Sequence, residues 1–332
     1  MNSYTLPTIE EAEEAIAGME GLGDLLGTNF RANVDWADII ERAQEMLNLS
    51  GSGGMCGTII VPDLYPLNRT LRLDAHVTLQ GSTRAFHHRG TSCGFYAEAD
   101  FDGEVMLKWK KANERSGNFS NFNAGIRNLH VEARQHVSCV DFRGAQQSAG
   151  IDNLVCRGFG EGGTGLVLRG DTYSVRDVFI DATIGGQSQR SRDEADGIVM
   201  PERTQGLVLQ NVTVHNCQCG LEMSDPQSIA ILSMETECTA WPVRITYNAN
   251  DVRLENLQVR HTENILDINR ARWPKDFVVD VSGMMVGKET SGIIELPKGP
   301  PFRTEGKTFR LAIQRRDRTS VKVVDVKKQR SS

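Results

Sequence analysis

A short apolar phrase recurs seven times between Ile126 and Met284, and it constrains the fold more than any other feature of this 332-residue chain. Each copy holds an apolar residue, a spacer, a small polar residue and a second apolar residue, and successive copies start 22 to 34 residues apart. Repeats of this length indicate a solenoid, in which each repeat stacks on the next. The copies are 126–129, 151–154, 175–178, 209–212, 231–234, 254–257 and 281–284.

A second series of apolar segments follows the first at a nearly constant offset. Apolar and variable residues alternate in both series, which is the pattern of short strands, and no long helical period interrupts them. The sequence therefore predicts an all-β fold, a right-handed single-stranded parallel β-helix with two or three strands per coil. The second-series segments are 139–142, 165–168, 197–200, 220–223 and 265–268.

The small polar position of the phrase is Asn or Asp in five copies: Asn128, Asn153, Asp177, Asn211 and Asn256. Asn and Asp tolerate the left-handed backbone of a sharp bend, and their side chains can bond backbone groups or the equivalent side chain one coil away. We interpret this column as architecture rather than as a polar binding stripe.

The chain divides into three predicted parts. Residues 1–50 are acidic and helical, with helices expected over 9–26 and 36–49, an N-cap at Thr8 and another at Asn33 or Asp35. Residues 51–300 form the β-helix with these helices as its cap. Residues 301–332 form a basic tail with strands expected over 309–314 and 320–326.

Targeting signals and metal motifs are not expected in this sequence. The apolar runs are shorter than the roughly 18 residues that span a bilayer, and the acidic start lacks the features of a secretory signal. Seven cysteines, an odd number, suit a reducing cytoplasm and buried thiols. Cys217 and Cys219 are not followed by a second ligand pair, so no metal site and no cofactor are predicted.

The beginning of the solenoid resembles that of the pectate-lyase-superfamily β-helix proteins, which include many phage tailspikes. The resemblance rests on a helix at 36–43, a glycine-rich break at 51–54, and the strands 57–62 and 77–81 with 65–67 between them. It covers residues 28–300 and implies that the helix caps the open end of the β-helix.

The catalytic patterns of that superfamily are missing. The chain lacks the Gly-Asp-Gly-rich segment before the cap helix, the paired aspartates and Gly-His-Gly of polygalacturonases, and the arginine-rich signature of calcium-dependent pectate lyases. The resemblance therefore implies the fold, and function has to be argued from the site.

One outward column of the alignment carries candidate catalytic residues. Glycosidic hydrolysis needs two carboxyl groups, about 6.5–9.5 Å apart for inversion, and coils stack at about 4.8 Å. Asp181 and Glu237 are expected two coils apart with His215 between them. The alternative is a solvent-facing ladder of alternating charge, because like charges on neighbouring strands are unfavourable. The column is Glu132, Arg157, Asp181, His215, Glu237 and Arg260.

Four further residues are candidates for binding. Arg190 and Arg192 lie in the longest interval between repeats, 183–196, which is expected to emerge beside this column. Trp241 and Trp273 are candidate platforms for sugar rings, and they are also candidates, with Trp109, for the core or a subunit contact.

The resemblance to phage β-helix proteins implies a phage virion structural protein, a spike, fibre or decoration component; we expect it to be assembled in the host cytoplasm and to have no signal peptide. The expected partners are two further copies in a homotrimer, other virion proteins and a host-surface glycan. Residues 1–50 carry a net charge of −8 and residues 303–332 a net charge of +7. This asymmetry favours docking of the tail onto an acidic neighbour over nucleic-acid binding. The alternative function is a polysaccharide lyase or glycoside hydrolase.

Overall fold

The structure is a computed structural model of the 332-residue chain. It describes residues 2–15, 35–49, 57–74, 76–83, 93–109, 124–183, 194–237, 239–247, 250–260, 264–267, 278–286, 293–296, 308–315 and 322–325. In this part of the chain, no helix is long and apolar enough to cross a membrane.

Strands make up most of the described residues and pair in parallel throughout one continuous sheet. The predicted parallel β-helix is thereby confirmed. The first eleven strands are β1 (Asn2–Thr5), β2 (Gly57–Val61), β3 (Leu64–Leu73), β4 (Val77–Gly81), β5 (Gly94–Trp109), β6 (Gly125–Glu132), β7 (Ser138–Ala145), β8 (Gly150–Arg157), β9 (Thr164–Gly170), β10 (Ser174–Asp181) and β11 (Asp196–Gln205). The others are β12 (Val208–His215), β13 (Cys219–Ile231), β14 (Met234–Glu237), β15 (Trp241–Ile245), β16 (Asn250–Glu255), β17 (Leu257–Arg260), β18 (Asn264–Asp267), β19 (Val278–Val286), β20 (Ile293–Leu296), β21 (Thr308–Arg315) and β22 (Lys322–Asp325).

Each complete coil has three strand segments, which stack on the equivalent segments of the next coil. The first face precedes the Asn bend and stacks Ile126 on Ile151, Val175 and Leu209. The second face follows the bend and stacks residues 129, 154, 178, 212, 234 and 257. The third face stacks residues 140, 166, 198, 221, 243 and 266. Both predicted series of repeats are confirmed in this register.

The bend between the first and second faces has the backbone that the sequence predicts. Asn128, Asn153, Asp177, Asn211 and Asn256 all have φ between 53° and 58°. Along the column, Asn153 Nδ2 donates to Asn128 Oδ1 over 3.1 Å, and Asn211 Nδ2 donates to Asp177 Oδ1 over 3.0 Å. The polar column is therefore an architectural device: it turns the chain and ties successive coils together.

The interior of the coils is filled by the stacked apolar side chains. Leu129, Leu154 and Val178 of the second face are at most 1% exposed, as are Leu166 and Ile198 of the third. Trp109 belongs to this core, where its indole nitrogen donates to the Val77 carbonyl over 3.2 Å. All five described cysteines are free and buried, as expected for small apolar side chains: Cys93, Cys139, Cys156, Cys217 and Cys219.

Two helices precede the first coil. Helix α1 (9–15) begins after a capping box, in which the Glu11 amide donates to Thr8 Oγ1 and the Thr8 amide donates to the Glu11 carboxylate. Helix α2 (Trp36–Leu49) begins after Asp35, whose carboxylate accepts the Asp38 amide over 3.2 Å. The predicted N-caps at Thr8 and Asp35 are thereby confirmed.

Helix α2 covers the beginning of the solenoid with one apolar stripe. Its buried residues Trp36, Ile40 and Leu47 share one helical face, and the Trp36 ring lies 4.3 Å from that of Tyr65 in β3. Leu47, at the end of the stripe, packs directly on the backbone of Gly57. A side chain at position 57 would begin only 2.7 Å from Leu47 Cδ1, so this close contact leaves no room for one. The helical cap implied by the resemblance is therefore present.

Both ends of the chain extend the parallel pairing. Strand β1 pairs with β2 and adds a strand within a region that the sequence predicts as helical. At the other end, β21 pairs with β19 and β22 with β20, so the two predicted tail strands exist and continue the sheet. The division of the chain at residues 50 and 300 stays a prediction.

Candidate functional site

The predicted outward column exists as a continuous row, which we call the second-face ladder. Strand register places Glu132 beside Arg157, Arg157 beside Asp181 and Asp181 beside His215. It also places His215 beside Glu237 and Glu237 beside Arg260. The ladder is therefore Glu132, Arg157, Asp181, His215, Glu237 and Arg260, and Asp181 and Glu237 are two coils apart.

Alternation along each strand directs this row away from the core. In β10, Val178 and Ile180 are buried, whereas Phe179 and Asp181 between and after them are only partly buried. The residues two positions before the ladder therefore form a parallel outward row, with Phe179 and Glu235 among them.

The Asp181 carboxylate is engaged by the corner that follows β10. Its Oδ1 accepts hydrogen bonds from the Thr183 amide at 3.0 Å, the Thr183 hydroxyl at 2.6 Å and Asn216 Nδ2 at 2.9 Å. Three donors on one oxygen hold this carboxylate in place. The structure thus puts Asp181 and Glu237 in one row, with Asp181 tied to neighbours of its own.

His215 is surrounded by aromatic and acidic side chains. Its ring meets Phe179 edge-on at 5.2 Å, while the Arg157 guanidinium lies 5.4 Å from the centre of the same Phe179 ring. His215 Nε2 lies 3.9 Å from a Glu237 oxygen. One imidazole nitrogen of His215 and one carboxylate oxygen each of Glu235 and Glu237 all lie within 4.8 Å of one another. These three side chains come from two adjacent coils.

His130 forms a second imidazole–carboxylate contact on the same face, near the beginning of the ladder. Its Nε2 lies 3.9 Å from a Glu132 oxygen. Burial, reinforced by the positive charge of Arg157, lowers the pKa of His130 to about 4. This imidazole is therefore neutral at physiological pH.

A shorter ladder, the third-face ladder, consists of Glu222, Arg244 and Asp267 in one row. Arg244 contacts Glu222 at 3.5 Å and Asp267 at 3.3 Å, and its guanidinium lies 5.5 Å from the centre of the Trp241 ring. Asp196 lies nearby. Burial, together with the charge of Glu222, raises the pKa of Asp196 to about 6. This carboxyl group therefore takes up a proton in mildly acidic solution.

Two grooves flank these rows. One, of about 1000 Å³, has both basic and acidic walls. There Arg69 of β3 is bound to Asp35, Asp38 and Glu41, and these pairs anchor α2. Asp141 is bound to Arg143 within β7, so the charges of this groove are paired. The second, of about 620 Å³, begins where Tyr96 stacks on Glu132. We call it the Tyr96 groove; its walls are Leu64, Tyr96, Ala97, Ala99, Phe101, Glu132, Ala133, Arg134, Gln135 and Val137.

The predicted binding residues have different positions. Trp241 is half-buried at the start of β15 and belongs to the third-face ladder through Arg244, away from the Asp181 row. Arg190, Arg192 and Trp273 lie outside the described residues. The roles assigned to these four residues, and to Asp181, His215 and Glu237, stay predictions.

Sequence reasoning missed Glu235 and Tyr96, and it placed Asp196 at the end of the longest interval between repeats, 183–196, without a role of its own. Glu235 had a signal, because Glu at positions 235 and 237 of one strand places both carboxylates on the same face. The sequence signal for Tyr96 was weaker, because β5 lies before the first copy of the repeated phrase and the repeat alignment does not include it. The raised pKa of Asp196 had no signal in the sequence, because it comes from burial that only the folded chain creates.

No protein-family profile matches the sequence, and no curated protein matches it. Among solved structures, the chain is similar to a double mutant of the tailspike protein of E. coli bacteriophage HK620, at 12% identity and a TM-score of 0.49. That alignment covers 90% of this chain and 63% of the tailspike chain. The A-module of mannuronan C-5 epimerase AlgE6 from Azotobacter vinelandii has 13% identity and a TM-score of 0.44, with 85% and 89% covered.

The fold is decided by the strand pairing of this chain. It is a parallel β-helix. With the capping helix over the first coil, this architecture agrees with the predicted resemblance to the pectate-lyase superfamily at the level of fold. Activity has to be argued from the side chains described above.

Proposed function

We propose that this chain is a structural protein of a phage virion, a spike, fibre or decoration component, that binds a host-surface glycan through the Tyr96 groove. The observation that carries the glycan-binding part is the composition of that groove. It combines an aromatic wall and a carboxylate on the sheet with a guanidinium on the corner that follows β6.

Aromatic side chains and planar polar groups are what a sugar surface requires. Tyr96 is 37% exposed, and Phe101 packs beside the core and lines the same groove. Flat aromatic faces pack against the C–H face of a sugar, while carboxylate and guanidinium groups bond its hydroxyls. Glu132 and Arg134 supply these polar groups, and Arg134 is oriented by its bond to the Glu98 carbonyl at 2.6 Å.

The solenoid supports a binding role because its strands hold these side chains in fixed positions. Pre-organised groups lose little conformational entropy when a ligand binds. The second-face ladder continues from Glu132 along five further coils, so an extended glycan can follow the row beyond the groove.

Binding to a panel of bacterial surface polysaccharides tests the proposal. Tyr96→Ala removes the aromatic wall and is expected to weaken binding at least about tenfold, which corresponds to roughly 1.4 kcal/mol. Tyr96→Phe keeps the ring and should retain most of the affinity. The matched control is Tyr247→Ala, since Tyr247 is 42% exposed and lies outside the groove. Absence of binding to every glycan, or equal binding by both alanine variants, would contradict it.

The virion role is tested by assembly and location. We expect a homotrimer, with three times the chain mass of 36.7 kDa in light scattering, and copies of the chain in purified particles by mass spectrometry. Docking of the basic tail onto an acidic neighbouring virion protein should weaken as salt increases. A monomer that is absent from particles would overturn this part of the proposal and leave glycan binding to be judged separately.

A second candidate function is a polysaccharide lyase or glycoside hydrolase. The row position of Asp181 and Glu237, two coils apart, is the observation that favours it. The three hydrogen bonds to Asp181 Oδ1 support a structural role for that carboxylate instead. Asp181→Asn and Glu237→Gln distinguish the two: an enzyme loses orders of magnitude in turnover with either, whereas a binding protein cleaves no polysaccharide at any stage.

A further inference from the structure

The ladder positions around His215 place three metal-ligating side chains on one patch of two adjacent coils. His215 ends β12, and Glu235 and Glu237 of β14 alternate with the buried residues Met234 and Thr236. In register, His215 lies directly opposite Glu237, and Glu235 lies opposite Thr213 two positions earlier. All three side chains are partly buried, so a bound ion would be partly shielded from solvent.

The distances among these groups suit a shared ion. Two ligand atoms that each lie about 2.1 Å from one Zn²⁺ are at most about 4.2 Å apart. His215 Nε2 and the Glu237 oxygen are 3.9 Å apart, and the whole set lies within 4.8 Å. A side-chain adjustment of less than about 1 Å brings all three within coordination distance.

The imidazole nitrogen that faces this patch is not satisfied by a hydrogen bond within the described part of the chain. His215 Nε2 is buried and has no hydrogen-bond partner among the described residues. An unsatisfied buried polar atom destabilises the fold, and coordination to a cation would satisfy it. The edge-on contact with Phe179 fixes the plane of the imidazole ring.

The charges at the patch favour a cation. Two carboxylates converge there, and Arg260 Nη1 holds one oxygen of Glu235 at 3.2 Å. A carboxylate has a second oxygen, so this contact orients Glu235 as an outer partner orients a ligand. One imidazole and two carboxylates suit Zn²⁺ and related transition metals better than Ca²⁺ or Mg²⁺, which prefer oxygen ligands alone.

We propose that His215, Glu235 and Glu237 form a binding site for one divalent transition-metal ion that links two consecutive coils. Three protein ligands leave a coordination position for water or another oxygen ligand. The site is independent of the Tyr96 groove, so it can exist whether or not the chain binds a glycan.

The chain contains its own comparison for this proposal. His130 and Glu132 have the same 3.9 Å contact on the same face. On the neighbouring coil, however, the residues paired with them are Val155 and Arg157, and Arg157 is positively charged. A set of three ligands including His130 is not found among the described residues, so this pair is expected not to bind a metal.

Calorimetric titration of the chelator-treated full chain with Zn²⁺ is the test. We expect one ion per chain, and His215→Gln and Glu237→Gln should each weaken binding by about 100-fold or more, since each removes a ligand. His130→Gln and Glu132→Gln should bind as the natural chain does. Thermal unfolding without metal should give both Glu→Gln variants a cooperative transition, which separates a lost ligand from a lost fold.

The spectrum of the Co²⁺-loaded chain identifies the ligands, because the seven cysteines of the sequence are alternative ligands. Nitrogen and oxygen ligands give weak visible bands, and thiolates add strong near-ultraviolet absorption. Weak bands that His215→Gln abolishes support the proposal. A thiolate spectrum, no stoichiometric Zn²⁺ binding, or equal binding by the Glu237→Gln and Glu132→Gln variants would each overturn it.

Discussion

The second-face and third-face ladders use the same coil spacing but differ in how deeply their charges are buried. In the third-face ladder, the Arg244 side chain is 16% exposed and that of Asp267 is 6% exposed. In the second-face ladder, the side chain of Glu132 is 54% exposed and that of Arg260 is 48% exposed. The third-face ladder thus buries most of its arginine and of one carboxylate, whereas the two ends of the second-face ladder are open to solvent and to ligands.

The difference follows from what covers each row. The Trp241 ring lies beside Arg244, and both acidic neighbours use the same guanidinium. On the second face, Arg260 contacts Glu235 and both side chains are partly exposed, so solvent screens this pair. A buried pair that loses one partner leaves an uncompensated charge, whereas an exposed pair contributes little.

The largest expected effect follows from replacing the centre of the buried row. Arg244→Met keeps much of the side-chain volume but removes the guanidinium that contacts both Glu222 and Asp267. We expect a loss of about 3–5 kcal/mol in the free energy of unfolding at pH 7. Denaturant unfolding measures it. A loss below about 1 kcal/mol would remove the distinction between the two ladders.

His130 provides a pH-dependent contrast on the second face. Its pKa is about 4 in the folded chain, against an ordinary value of 6.5. The unfolded chain therefore binds this proton first, and stability should fall as the pH decreases from 6.5 to 4. His130→Gln should abolish about 1–3 kcal/mol of that fall. If the free energy of unfolding had the same pH dependence in the natural chain and in the His130→Gln variant, this would contradict the lowered pKa.

Asp196 should produce the opposite slope in nearly the same range. Its pKa is about 6 in the folded chain and has an ordinary value of 3.8, so the folded chain binds the proton first. Stability from this group is present below pH 4 and is lost as the pH rises through 6. Asp196→Asn should therefore stabilise the chain at pH 7 by about 1–3 kcal/mol and have little effect at pH 4. Thermal unfolding at both pH values checks the sign.

The smallest effect is expected at the exposed end of the second-face ladder. Arg260→Met removes an ion pair with Glu235 whose side chains are 48% and 30% exposed. We expect a change of about 0–1 kcal/mol in the free energy of unfolding, and less in high salt. This variant is also the matched control for Arg244→Met, because the same substitution is made in the other ladder.

The fold could be predicted because two local signals agree. Alternating residues define the faces, and the Asn column marks the bend that those residues adopt with positive φ. Strand β1 could not be predicted, because its four residues, Asn2–Thr5, show no pattern and pair with a strand 55 positions further along the chain. The rows of the site followed from the repeat alignment, since register fixes which side chains are neighbours.

The direction and environment of individual side chains could not be predicted in the same way. Asp181 is held by Thr183 and Asn216, which lie on corners rather than on strands. The pKa of Asp196 depends on how much of the surrounding coil excludes water. Both properties arise from packing between segments that the repeat pattern does not describe.

Parallel pairing between coils also determines how the molecule responds to a pulling force. The hydrogen bonds between neighbouring coils point along the solenoid axis, so a force applied between the two ends opens them one after another rather than all at once. Coils whose repeats start 22 to 34 residues apart would each release roughly 75–115 Å of extended chain. Single-molecule stretching should therefore give a series of small steps whose lengths follow the coil lengths, and a ligand that links two coils would delay one of them.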